Sequence, residues 1–287
     1  MKRFPALIFL FVACAALLLT GCETMDGKRD ANDPTASRNS AGNQGARTER
    51  RVDDPNSGEP RQAEPKERAR IRTELAFAYF QERQMAVALD EVRTALRDDP
   101  NSAQAYNVLG LIQMDLGDTV RADEAFTRAL RIEPNSPDVN NNYGWFLCRT
   151  KRERQGIPYF LNALKDPLYQ SPSKPYTNAG LCSLQIDDLA AAEGYFSRAF
   201  SLDPGNPMVA FQLARIYFKR DDLPRADFYT QRLLGDGLGA PPQGLWLALN
   251  IARKRNDASA ENSYAAQLKR RFPDSEEARR LGAGQFE

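Results

Sequence analysis

Residues 103–136 read AQAYNVLGLIQMDLGDTVRADEAFTRALRIEPNS, and this stretch decides the fold. Small residues stand at its eighth and twentieth positions (Gly110, Ala122). An aromatic follows at the twenty-fourth (Phe126), an alanine at the twenty-seventh (Ala129) and a proline at the thirty-second (Pro134). The same frame recurs with a period near 34 residues, in units starting at Ala69, Ala103, Pro137, Ser173, Pro207 and Pro241, with two extra residues near Ser171-Pro172. Position 8 reads Ala76, Gly110, Gly144, Gly180, Ala214, Ala248, and position 20 reads Ala88, Ala122, Gly156, Ala192, Ala226, Ala260. Small residues at both places let the two helices of a unit approach closely. Bulk four positions later (Val92, Phe126, Phe160, Phe196, Tyr264, with Thr230 the exception) fills the space toward the next unit.

Composition narrows the chemistry. The chain of 287 residues carries 39 Lys+Arg against 38 Asp+Glu, a balance that argues against nucleic-acid binding through bulk positive charge. It holds no histidine, which excludes the Ser-His-Asp triad, the Cys-His dyad and every histidine-containing metal site. The four cysteines (Cys14, Cys22, Cys148, Cys182) are too scattered for an all-cysteine zinc site. Asp187-Asp188 and Asp221-Asp222 resemble acid/base dyads, but they fall at turns between helices, where aspartate caps the next helix. The expectation is a protein-binding scaffold with no catalytic residues, no cofactor, no metal and no small-molecule substrate.

The N-terminus reads as an address. Lys2 and Arg3 precede a mostly apolar stretch, residues 4–19, that is short for a bilayer span but fits a secretory signal. It ends in Leu19-Thr20-Gly21-Cys22, which resembles a bacterial lipobox. That resemblance implies a signal peptide over 1–21 and lipidation of Cys22; the alternatives are an uncleaved anchor or an ordinary signal peptide. Residue 23 is Glu rather than the Asp associated with inner-membrane retention, which implies the periplasmic face of an outer membrane. Residues 22–67 form the expected lipidated N-terminus and linker. From 23 to 66 the stretch has no Leu, Ile, Phe, Tyr or Trp, so it cannot bury enough apolar surface to offset its ordering entropy. A disordered linker of this length reaches roughly 35–40 Å.

The repeated residues resemble tetratricopeptide (TPR) repeats, over 68–274. The resemblance implies an all-α fold of about six helix–turn–helix units stacked into a right-handed superhelix with a concave groove. Three units depart from the pattern: Leu168 and Leu238 replace the terminal proline, Leu233 and Gln267 replace the alanine, and the last proline, Pro273, comes one residue late. Pro158 falls where the second helix of the third unit should form, so that helix is expected to start late or bend. Within 275–287, Ser275 can cap a short helix that Gly282-Ala283-Gly284 ends.

In such a stack the first helix of each unit lines the groove. Position 9 reads Phe77, Leu111, Trp145, Leu181, Arg215, Leu249, and position 12 reads Phe80, Met114, Cys148, Leu184, Phe218, Ala252. This apolar stripe is either a partner site or a face packed on itself. The partner-site candidates are Phe77, Phe80, Leu111 and Met114, with Trp145, Phe211 and Phe218 as a wider central groove. Phe77 and Phe80 stand out because no earlier unit covers them. Cys148 and Cys182, one unit apart, are close enough for a disulfide in an oxidising compartment; two buried thiols or a reactive thiol are the alternatives.

The lipobox, linker and six units together resemble the PilF/PilW family of type IV pilus biogenesis lipoproteins. The local features that carry this are Asn141-Asn142-Tyr143-Gly144-Trp145-Phe146-Leu147-Cys148 and Asn178-Ala179-Gly180-Leu181-Cys182. The resemblance implies a pilotin that carries the secretin pore subunit to the outer membrane and promotes its assembly. The runner-up is another outer-membrane TPR lipoprotein, a β-barrel assembly adaptor or an organiser of cell-wall hydrolases.

Overall fold

A computed structural model describes residues 63–235 and 241–286; Cys22, the signal segment, the linker to residue 62, and Leu238 lie outside them. Thirteen helices and no strand occur among the described residues. They run in antiparallel pairs: α1 (Pro65–Gln81) with α2 (Met85–Asp98), α3 (Ala103–Asp115) with α4 (Thr119–Ile132), and α5 (Pro137–Arg149) with α6 (Glu153–Ala163). Then follow α7 (Ser173–Gln185) with α8 (Leu189–Leu202), α9 (Pro207–Lys219) with α10 (Leu223–Leu234), α11 (Pro242–Lys254) with α12 (Ala258–Arg271), and a last short helix, α13 (Glu276–Gly282). None of these is long and apolar enough to cross a membrane.

Turn chemistry sets the period. Each pair turns through one residue of positive φ: Arg83, Gly117, Lys151, Asp187, Asp221 and Asn256. Five of the six are not glycine, a cost of about 1 kcal/mol or more each that the packed helices on either side must override. The next residue caps the second helix: Asp118, Asp188, Asp222 and Asp257 each accept a backbone N–H three residues on. The Asp pairs therefore stop one helix and start the next. First helices open on Pro137, Pro207 and Pro242, where a missing N–H costs nothing.

This turn signature corrects the sixth unit. Asn256 lies one residue later than a unit starting at Pro241 requires, so the unit starts at Pro242. Ala248 and Ala260 then leave the small-residue positions, which fall to Leu249 and Glu261, and Leu268 rather than Gln267 takes the buried alanine position. The reason is visible in the volumes. Where position 24 is Phe126, Phe160 or Phe196, position 8 is glycine; where it is Val92 or Thr230, position 8 is alanine. In the sixth unit the pair is inverted, with buried Leu249 packing in one cluster with Ala265. A methyl on Gly110 would stand 2.8 Å from the Phe126 ring, and one on Gly156 would stand 2.6 Å from the carbonyl oxygen of Gly144. The aromatics therefore fill space above their own unit's glycine as well as space toward the next unit. Phe126 does both, with its ring 5.5 Å from that of Phe146. Burying each such ring contributes roughly 1.5–3 kcal/mol. At Thr230 the hydroxyl donates to the Ala226 carbonyl, and the bulk comes instead from Tyr217 stacked on Tyr229 at 5.5 Å.

Two further expectations change. The second helix of the third unit does not start late: α6 begins at Glu153, in register with the others, with Pro158 inside it. A proline at its sixth residue removes one early backbone bond while Phe160 and Ala163 remain fully buried. The helical region also begins earlier than 68, because α1 starts at Pro65 and takes up the end of the expected linker. At the other end Ser275 caps α13 by accepting from the Ala278 N–H. Glu276 follows Pro242 by one repeat length, so α13 is the start of a seventh unit. Ala278, its third residue, is buried like the third residues of the second to sixth units, Ala105, Val139, Pro175, Val209 and Gly244.

Candidate functional site

The first helices of units one to four line a groove of about 580 Å3. Positions 9 and 12 supply one wall, with Phe77 and Phe80 from α1, Leu111 and Met114 from α3, and Trp145 from α5. The rings of Phe77 and Phe80 stand 6.2 Å apart, and Phe77 is 39% exposed, an open apolar surface. Trp145 is half-buried, because it also packs on the core formed by Cys148, Phe160, Ala179 and Cys182. The structure joins Cys148 to Cys182, with Cα atoms 5.7 Å apart, and so ties α5 to α7 directly behind Trp145.

Phe211 and Phe218 do not join this groove. They pack against the core of units four and five, with the Arg215 guanidinium 5.6 Å from the Phe211 ring and the Lys254 ammonium 4.9 Å from the Phe218 ring. The apolar stripe thus splits into an open aromatic groove at the N-terminal side and cation-covered rings further along.

A polar row lies about one turn before the stripe on the same helices, and residue-by-residue reading of the stripe missed it. Positions 5 and 6 bring Asn107, Asn141, Asn142 and Asn178 into one hydrogen-bonded row. Asn178 donates to Asn141 (2.9 Å), Asn141 to Asn142 (3.1 Å), and Asn142 to Asn107 (3.1 Å). The recurrence of asparagine at these positions in consecutive units was the available signal. Asp115 closes the far rim between Arg83 and Arg149, the latter at 3.7 Å. Asp138 accepts a hydrogen bond from the Tyr169 hydroxyl at the near rim, and burial, then the Asp138 charge, raises the pKa of that phenol. Lys174 lines the groove beside Asn178. A larger, shallower hollow of about 740 Å3, near Thr119 and Lys151, has charged and aliphatic walls but no aromatic side chain. The groove combines side-chain amides with aromatic and aliphatic surface, the mixture that peptide recognition uses.

A tetratricopeptide repeat model matches residues 73–137. The chain is 33% identical over 203 residues to the type IV pilus assembly protein PilF of Pseudomonas aeruginosa, covering 70% of this chain and 80% of that protein. It belongs to the PilF/PilW family. Among solved structures, Pseudomonas aeruginosa PilF superposes with a TM-score of 0.70 at 31% identity, over 77% of this chain and 99% of that one. The crystal structure of PilW, described as a widely conserved type IV pilus biogenesis factor, gives 0.67 at 34% identity, over 74% and 97%. PilF and PilW thus share the helical stack that forms the groove, and this chain is a TPR scaffold of their kind.

Proposed function

We propose that this protein is a type IV pilus assembly factor, anchored in the outer membrane through a lipid on Cys22, that acts as a pilotin. It holds a segment of the secretin subunit in the groove of its first units and supports assembly of the pore. Membership of the PilF/PilW family supports the pilus role. The observation that carries the partner site is the exposed Phe77 with the half-buried Phe80 beside a row of asparagines, at the end of the repeats from which the sequence runs back to Cys22. A segment held there would lie near the membrane that the lipid reaches.

The test is capture of the secretin subunit by the full lipoprotein. Two aromatic anchors at roughly 1.5–3 kcal/mol each are worth about a hundredfold or more in affinity. Phe77→Ala with Phe80→Ala is therefore expected to abolish capture while far-UV helicity stays. Wild-type affinity in a folded double variant would move the site to Phe211 and Phe218. Separately, Cys22→Ala is expected to remain an unprocessed precursor absent from the outer-membrane fraction, and its appearance there at mature size would overturn the anchor.

A further inference from the structure

The concave face is already occupied at its C-terminal end. Position 5 marks that face along the stack: Asn107 and Asn141 line the groove there, and the corrected register puts Trp246 and then Arg280 of α13 in the same row. The Arg280 guanidinium lies 5.1 Å from the Trp246 ring. After α13 the chain makes a tight reversal. Gly284 adopts φ +68°, its N–H donates to the Leu281 carbonyl, and the Gln285 N–H donates to the Arg280 carbonyl at 2.9 Å. This pair of bonds around a left-handed glycine is a Schellman motif, and it turns the next residue back over the repeat. Phe286 lands flat on Trp246, with ring centroids 6.0 Å apart and planes 7° from parallel. The Arg253 guanidinium is 3.3 Å from the Phe286 ring centroid. An indole and a guanidinium thus hold one aromatic ring by stacking and cation–π attraction.

The guanidiniums of Arg253, which also pairs with Glu261 at 3.5 Å, and of Arg280 make the seat cationic, and the residue that follows Phe286 in the sequence is an acid, Glu287. We propose that the concave face of the sixth unit is a docking site for an aromatic side chain next to a carboxylate, closed in cis by Phe286. A partner segment of that chemistry enters by displacing the tail. A three-residue connection from α13 gives the tail a local concentration in the mM range, so even a weak seat stays filled and an incoming segment must compete at that level. The inference is independent of the secretin reading, because its test contains no secretin.

The chain has two tryptophans, so Trp145→Phe leaves Trp246 as the single reporter. Acrylamide quenching of its emission reads the cover on the indole. Removing a ring that covers one of two indole faces with Phe286→Ala is expected to raise the quenching constant about twofold, with far-UV helicity unchanged. A peptide of residues 281–287, added at several mM, is expected to restore the original constant, whereas the same peptide with alanine for the phenylalanine does nothing. The chain that keeps Phe286 should respond to neither peptide at that concentration. Trp246→Phe, which reports only Trp145, is the reference and should not respond to Phe286→Ala. It also supplies the comparison in the two-tryptophan chain if Trp145→Phe does not fold. An unchanged constant in Phe286→Ala overturns the closed seat. Failure of the peptide to protect, or equal protection by its alanine version, overturns the docking site.

Discussion

The two ends of the stack are built differently. At the C-terminal end α13 covers the sixth unit: Ala278 is 9% exposed, and Phe286 closes the concave face beside it. At the N-terminal end the equivalent residue is Ile71, 47% exposed, with Leu75 one turn on at 39%, and no helix precedes α1 among the described residues. In a repeat scaffold each unit buries its neighbour's face, so an end without a cap leaves apolar surface in water. Here that surface adjoins the open groove, whereas the capped end carries cations over its rings. The open aromatic groove therefore lies beside the end where packing among the described residues is incomplete. Between the two ends, the bond from Cys148 to Cys182 sits at the middle of the stack and supports the groove from behind.

Breaking the central tie should have the largest effect. The bond closes a loop of about 35 residues, for which chain entropy gives roughly 3–4 kcal/mol. Cys148→Ala with Cys182→Ala is expected to lower the urea midpoint accordingly, and thiol labelling of the unfolded, unreduced wild type should find neither cysteine free. Next comes the capped end. Ala278→Asp places a charge in a buried, apolar position and should cost about 2 kcal/mol, read as a loss of helicity confined to the last units before the main transition.

A smaller effect is expected at the joint between units four and five. Burial raises the Glu193 pKa, but the Tyr217 hydroxyl at 2.7 Å and the Arg220 and Arg225 guanidiniums together hold it below the usual carboxylate value. The Tyr217 phenol is correspondingly pushed up to about 12, by burial and then by Glu193. A depressed folded-state pKa contributes stability that is fully present above the ordinary carboxylate range and is lost as pH falls through the folded value. Glu193→Gln should therefore cost about 1 kcal/mol at neutral pH in thermal or urea melts, and the difference from wild type should close in acid. The smallest effect belongs to the open end: Ile71→Ser is expected to stay within about 0.5 kcal/mol of wild type. A loss as large as that of Ala278→Asp would mean that the first unit is covered after all, and would break the comparison.

How much was legible follows from what each signal depends on. Local turn chemistry was readable: Asp188 and Asp222 do cap the helices they precede, and Ser275 starts the last one. The late start expected from Pro158 does not occur, because the lost backbone bond was weighed without the buried Phe160 and Ala163 on the same helix. The sixth unit misled for another reason. Ala248 and Ala260 satisfy the small-residue pattern one residue out of frame, and the Asn256 turn gives the true register. Of the groove candidates, five of the seven meet in one surface, while Phe211 and Phe218, half-buried, pack against the core of units four and five.

The amino-acid order alone determined the period, the small-against-large pairing within units, and hence a stack of helical pairs, because those depend on contacts 12 to 16 residues apart within one repeat. What the tertiary structure decided lies between repeats: that four asparagines join into one row, that Cys148 and Cys182 are bonded, and that Phe286 returns to Trp246. Those contacts depend on how far each unit rotates on the last. That rotation is the sum of many packing terms of about 1 kcal/mol each, and no single position in the sequence carries it.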